Sequence, residues 1–454
     1  MKIKNSWKRL VIGVTLGAAL SGVPAYPAVS EAIAADPMSR SELPGGTATV
    51  KALSAQDNEA VTVWNLEAVT LTLLPASALA PVQQTRVMAI VQVAVHDAVN
   101  GITREYQTYL SPGLAPENAS PVAAAIAAAH HTLRSLFNSQ AAMLELDTLF
   151  VASLAAHGLL EDDPGVGYGR SAAAAILALR ANDHSAQAQF DYTAPGAGTP
   201  GVWVRLNNAP ALLPGWGNVT PFVLRSGSQF RPDAPPALDS EQYARDYNEI
   251  KQIGALNSSL RTAEQTQIAT FWRASPTAIW NPVLSQVLAT RDLDLSATAR
   301  SFALFYLAAA DASVACWEAK YTYNFWRPQP AIRSGDIDGN DLTAVDPTWT
   351  PLFATPPHPE YSSAHTTNSG AMAAILELLF EDDQGVPIVV TISGITRQWS
   401  RFSEGVEEVI DARIYSGIHF RTADEVGARV GRQVARFVLN HALRRCPKGG
   451  SRCS

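Results

Sequence analysis

Cysteine is scarce in this chain: there are three in 454 residues. That is too few for a disulfide scaffold, and none falls in a C-x-x-C pair. Charge is sparse as well. Asp, Glu, Lys and Arg together make 17% of the residues, with a formal net charge of -7. No basic run or basic–aromatic interleaving is present, which argues against a nucleic-acid partner. H-E-x-x-H and G-x-S-x-G are both missing, so zinc-hydrolase and serine-esterase readings have no support. There is no internal repeat and no strand–helix alternation of the kind that builds a parallel sheet.

The N-terminus carries a different message. Lys2, Lys4, Lys8 and Arg9 precede a short apolar core from Leu10 to Leu20, and small residues follow. That order reads as a secretory signal, with cleavage after Ala25 or Ala34. The competing reading is an uncleaved anchor, but the core is short for a bilayer span. No later segment reads as transmembrane, so the mature protein is expected to be secreted or periplasmic. Cys446 and Cys453 bracket a short tail and could close a small disulfide loop there, or remain two unpaired thiols. Cys316 lies in an apolar run and reads as a buried, inert thiol.

What the chain has in quantity is hydrophobic residues, 47% of the total, enough for a sizeable core. Helical spacing dominates. Residues 82–100, 122–136, 141–157 and 167–181 carry Ala- and Leu-rich stripes. Residues 184–236 are rich in Gly, Pro, Trp and Asn and read as a long ordered excursion. Thr262-Ala-Glu-Gln265 predicts a capped helix start. Residues 298–323 read as one buried helix, and 362–380, 402–417 and 423–443 as three more. Residues 387–393 are the one strand-like stretch. The expected fold is mainly α, with helical bundles, long ordered loops and little or no strand. The expected division is a signal at 1–34, a flexible segment at 35–60, one helical domain at 61–445 and a tail at 446–454.

Three late segments carry the chemistry. Lys320 and Arg327 stand seven apart, about two helical turns, and Pro328 is expected to end that helix. Alone this would be a surface charge pair, but Tyr323, Phe325 and Trp326 make it too apolar for a solvated face. Glu360-Tyr-Ser-Ser-Ala-His365 opens a helix whose free N–H groups favour an anion. Ser363 offers a hydroxyl there and Ala364 a backbone N–H, although simple N-capping would use the same residues. Arg413 and His419 are six apart, and Gly417 can release the helix between them. Together they supply three cations, one hydroxyl and two imidazoles, a set suited to a tetrahedral oxyanion.

The pattern K-x6-R-P, then Ser-Ser-Ala-His, then Ala412-Arg413-x5-His419 resembles the signature of vanadium-dependent haloperoxidases. These belong to the type-2 phosphatidic acid phosphatase superfamily. Trp317, three residues before Lys320, extends the likeness, as do Met88–Gly101, Trp216-Gly217 and Gln229–Pro232. The resemblance implies two four-helix-bundle-like units with the active site within 300–420. It implies vanadate held covalently by His419 and neutralised by Lys320, Arg327 and Arg413, with Ser363 and Ala364 assisting. His365 would be the acid–base residue, and Trp317 and His358 would shape the halide pocket. Hydrogen peroxide, a halide and a small organic acceptor would be the partners, and phosphate would compete for the vanadate site. His358 stands where bromide-oxidising members carry histidine, so bromide is the expected halide. The departures are Ser362 for proline, Ala364 for glycine and Ala412 for serine.

The same constellation would serve an acid phosphatase, with His419 attacking phosphorus and His365 protonating the leaving oxygen. A secreted oxyanion-binding protein without turnover is the third reading. Elsewhere, His96 and Asp97 read as a buried hydrogen-bonded pair, and His130 and His131 as a helix surface.

Overall fold

The computed structural model describes residues 54–447. The expected signal segment and Cys453 therefore lie outside the described residues. Helix α1 (Ser54–Leu73) opens the fold and begins inside the stretch expected to be flexible. It is followed by α2 (Pro81–Thr103), α3 (Pro121–Leu136), α4 (Gln140–Ala156) and α5 (Pro164–Arg180). After a long irregular segment come α6 (Glu241–Ile253), α7 (Ala263–Phe271), α8 (Pro276–Ala289) and α9 (Leu295–Tyr323). The short α10 (Pro328–Arg333) and then α11 (Ala364–Phe380) lead to a hairpin, β1 (Asp383–Ile392) with β2 (Ile395–Arg401). Helices α12 (Phe402–Tyr415) and α13 (Arg421–His441) complete the chain.

Local chemistry sets these boundaries. Asp294 caps α9 by accepting the Ala297 N–H at 2.7 Å, and Ser120, Ser139, Ser240 and Ser275 do the same at other starts. At α7 the expected reciprocal box forms. Thr262 Oγ1 accepts the Gln265 N–H at 3.1 Å, and Gln265 Oε1 accepts the Thr262 N–H at 2.9 Å. The strand-like stretch is longer than expected, a full antiparallel hairpin with Ile392 paired to Ile395. Its second strand, Ile395–Arg401, is too polar to announce itself.

Helix α9 is the axis of the molecule. It is long and apolar enough to cross a membrane by length and composition, yet almost all of it is buried inside the protein. On one side it packs against α2, which with α3 and α5 forms the first bundle. On the other it packs against α11 and α13, which with α12 form the second. The closest crossing is α11 on α13. A Cβ at Gly431 would stand 2.0 Å from Thr367 O, and one at Gly370 2.5 Å from Ala428 O. Only glycine permits that approach, and it draws the start of α13 against the start of α11.

The excursion between α5 and α6 is ordered by α9. Buried Asp311 accepts the backbone N–H groups of Phe222, Val223 and Leu224 at 2.6, 2.7 and 2.8 Å. Further along, Trp317 Nε1 and Tyr321 Oη both donate to Leu212 O. The loop is thereby fastened over the C-terminal half of α9.

Candidate active site

Lys320 lies in the last turn of α9 and is fully buried. Its Nζ donates to the carbonyls of Pro359 and Glu360 at 2.8 and 2.9 Å. Arg327 does not continue that helix, contrary to the spacing argument. Asn324 adopts a left-handed conformation (φ 49°) and ends α9. Arg327 is instead the N-cap of α10, and Pro328 starts that helix rather than stopping one. The two cations meet through a chain reversal, not by sharing a helix face.

The second segment supplies the N-terminus of α11. Ser363 occupies its N-cap with extended backbone but makes no side-chain cap, so the simple capping alternative fails. Its hydroxyl is buried without a partner of good geometry. Ala364 is the first helical residue and packs against the small apolar cluster that contains Trp317. His365 follows, part-exposed, with Nε2 3.2 Å from Ala274 O. A carbonyl only accepts, so Nε2 carries the proton and Nδ1 is left as the basic nitrogen.

The third segment behaves as its glycine implies. Helix α12 stops at Tyr415, and Gly417 takes φ 76°. The chain then turns back and delivers His419 to the cluster. His419 Nε2 is 3.0 Å from Arg327 Nη1, which also donates to Ile418 O at 2.7 Å. Arg413 comes from the last turn of α12, with Nη1 donating to Trp272 O at 3.0 Å and Nε unpartnered.

The electrostatics follow from burial. Burial pushes the Lys320 ammonium down to about 7 and the Arg413 guanidinium down to about 10. Burial, with Arg327 and Lys320 adding to it, holds His419 well below its usual range. Burial and Arg413 do the same to His365. Both are neutral imidazoles near pH 7. Two carboxyls face the cations. Burial lifts Glu360 to about 7, with Arg327 and Lys320 opposing, and lifts Asp424 well above the usual range. The cluster thus sets three cations against two acids reluctant to ionise. With the unpartnered Ser363 Oγ, the Arg413 Nε and the α11 N-terminus, that balance favours an anion.

Trp317 and His358 form one wall, their ring centres 5.0 Å apart. Arg327 Nη2 donates to His358 Nδ1 at 2.9 Å and Arg327 Nε to His358 O at 2.8 Å. Burial and the adjoining Arg327 and Lys320 hold His358 well below its usual pKa range. Every sequence-predicted residue of the set therefore falls in one locus. Sequence reasoning missed Glu360 and Asp424. No local pattern marks either of them, since each matters through contacts made only in the fold.

Two expectations outside the site need correction. His96 and Asp97 do not pair with each other. His96 bonds Gln107 O and Asn100, while Asp97 accepts the N–H groups of Tyr109 and Leu110. His130 is not a surface residue. It is buried, stacked on Phe150 at 4.4 Å and bonded to Asp147. Cys316 is a buried free thiol as expected, and Cys446 is disulfide-bonded.

Fold and site together define a class: a mainly helical double bundle with cations and two imidazoles converging at the entrance of one helix. Comparison with known proteins narrows it. Residues 300–447 match the family model described as the VCPO second helical-bundle domain. Over 369 residues the chain is 24% identical to vanadium chloroperoxidase of Curvularia inaequalis, covering 64% of this chain and 60% of that relative's length. The fold superposes with a TM-score of 0.74 on a bacterial vanadium-dependent iodoperoxidase, 25% identical, covering 88% of this chain and 99% of the other. An apo-type bacterial vanadium-dependent chloroperoxidase matches with TM-score 0.62 and 17% identity over 78% of this chain and 92% of its own. Residues 300–447 thus carry the likeness of a vanadium chloroperoxidase second bundle, and the described fold as a whole is similar to that of vanadium-dependent haloperoxidases.

Proposed function

We propose that this protein is a secreted vanadium-dependent haloperoxidase that oxidises halide, bromide preferentially, with hydrogen peroxide. The observation that carries the reading is the buried cationic cluster with its unpartnered donors. Ser363 Oγ and Arg413 Nε make no well-formed hydrogen bond, with only the Asp424 carboxyl, itself reluctant to ionise, beside them, and His419 has a nitrogen facing Arg327, a group that can only donate. These residues fit a tetrahedral oxyanion with one nitrogen ligand. Lys320, Arg327 and Arg413 would neutralise its oxygens, Ser363 and the Ala364 N–H would add donors, and His419 would be the ligand. Vanadate bound there supplies Lewis acidity toward peroxide without a change of oxidation state.

The residues do the rest. His365, neutral and fixed through its Nε2–H on Ala274, takes a proton at Nδ1 from incoming peroxide and returns one to the departing oxygen. Lys320, held at its carbonyl pair, polarises the peroxide. Trp317 and His358 wall the halide side and exclude water. Halide attacks a peroxide oxygen and the O–O bond breaks. One halide, one peroxide and one proton give one hypohalous acid and one water. A small organic acceptor then takes the halogen. The Cys446 disulfide supports an oxidising compartment.

The same residues would support phosphate-ester hydrolysis through His419 as nucleophile, because a carboxyl on its other nitrogen suits either role. One assay separates them. The apoprotein is given orthovanadate, peroxide and bromide with a brominatable diketone, with iodide and chloride in parallel. A matched sample receives a phosphate ester and no vanadate. Vanadate-dependent bromination that falls with added phosphate supports the peroxidase. Ester hydrolysis inhibited by vanadate, with no halogenation, overturns it.

A further inference from the structure

Glu360 is the buried acid that neither composition nor motif marked. It is completely inaccessible to solvent and stands between all three segments of the site. Its backbone N–H donates to Phe325 O at 2.9 Å and its carbonyl accepts from Lys320 Nζ. Both carboxylate oxygens are committed. Oε1 accepts the Phe420 N–H at 2.8 Å. Oε2 lies 2.7 Å from His419 Nδ1 and 3.3 Å from Arg327 Nη1. The side chain therefore has no freedom to turn away.

We infer that Glu360 is the positioning residue of the site, holding His419 as the tautomer protonated on Nδ1, with the Nε2 lone pair aimed at the bound oxyanion. This rests on the reading of His419 as the ligand. The two nitrogens of the ring have opposite neighbours. Nδ1 meets a carboxylate, which accepts. Arg327 Nη1, which only donates, lies nearer Nε2, at 3.0 Å, than Nδ1, at 3.4 Å. With Glu360 ionised against Arg327, both neighbours select the same tautomer, and it is the one that can ligate. A carboxylate on the far nitrogen of a ligating histidine fixes its ring and raises its basicity. The role is distinct from charge balance. A negative group this close to an anion site opposes anion binding by Coulomb repulsion, so its presence needs a reason beyond pairing Arg327.

Glu360→Gln separates the two. The Phe420 N–H requires an oxygen opposite it, and glutamine has one. With that oxygen engaged, the amide NH2 faces Nδ1 and donates, which drives the ring proton to Nε2 and removes the ligand lone pair. Three measurements follow, none needing turnover. Proton-coupled nitrogen NMR of histidine-labelled protein, read as the signal lost in His419→Ala, reports the tautomer. Calorimetry with orthovanadate reports ligation by nitrogen. Calorimetry with sulfate, which needs no nitrogen ligand, reports the cations alone. The expected result is Nδ1–H in the parent and Nε2–H in Glu360→Gln. Vanadate affinity should fall about 10–100-fold, while sulfate binds as well as before or better. Glu360→Asp, which keeps the acceptor, should regain part of the vanadate affinity. A parent signal of the Nε2–H form, or vanadate affinity rising with sulfate in Glu360→Gln, overturns the inference in favour of plain charge balance. If Glu360→Gln loses both anions through misfolding, the parent's tautomer still decides. If the parent shows Nδ1–H but binds no vanadate, the proposed function fails and the assignment of Glu360 stands.

Discussion

Gly417→Ala tests whether the turn after α12 is what delivers His419. Gly417 has φ 76°, a conformation costing a side-chain-bearing residue about 1 kcal/mol. The added methyl also has nowhere to go. It would stand 2.4 Å from Gly254 O, 2.8 Å from Pro351 Cβ and 3.0 Å from Pro351 Cα. Gly254 O is itself fixed, accepting the Leu352 N–H at 3.0 Å. Overpacking against immobile backbone costs a further 1–3 kcal/mol or so, giving roughly 2–4 kcal/mol in total. At about 2.1 cal/mol/K per residue, unfolding this chain carries an entropy near 1 kcal/mol/K. The melting temperature should therefore drop only by about 2–4 °C. Anion affinity should suffer more, because Ile418 O and His419, the groups meeting Arg327, follow directly. The control is Gly385→Ala, at φ 66° but with nothing within 4 Å of the new methyl. It should cost about 1 kcal/mol and leave binding unchanged. Calorimetric melting and sulfate titration read both variants. If Gly417→Ala melts like Gly385→Ala and binds sulfate like the parent, the turn is not what positions His419.

Sulfate, a dianion throughout, should bind less tightly as pH rises from 6 to 8. Lys320 is pushed down to about 7 and so loses its charge across that window, while Glu360, lifted to about 7, gains one. Both changes subtract positive charge, Arg327 and Arg413 stay charged, and Lys320→Met should flatten the dependence measured by calorimetry. His365→Ala should cut turnover about 10²–10⁴-fold while vanadate affinity stays within a few-fold, as steady-state rates and titration will show. Ala364→Gly should bind vanadate at least as well as the parent and cost about 1 kcal/mol or less, because the position opens α11 rather than sitting mid-helix. A marked loss of affinity there would show that the methyl, packed against the Trp317 cluster, helps shape the pocket.

Much of this architecture was readable from spacing. The stripes of α2, α3 and α5, the cap at Thr262 and the release at Gly417 follow from periodicity and backbone preference. The join between Lys320 and Arg327 did not. Residues 320–328 stay apolar throughout, so the break at Asn324 leaves no trace in composition, and Pro328 marks a helix start as readily as an end. The site residues were legible because each segment pairs a cation or imidazole with a helix boundary. Glu360 was not, because its importance lies in a contact with His419, fifty-nine positions away, that no local pattern encodes. His130 was misread for a related reason. Its burial comes from Phe150 on the neighbouring helix, which α3 alone cannot reveal.

The most direct test is a crystal structure of the protein soaked with orthovanadate. The account predicts a vanadium centre bonded to His419 Nε2 at about 2 Å, the usual metal–imidazole length. Its oxygens should be met by Lys320, Arg327, Arg413, Ser363 and the Ala364 N–H. A vanadium bound elsewhere, or held in this cluster without His419, would contradict it.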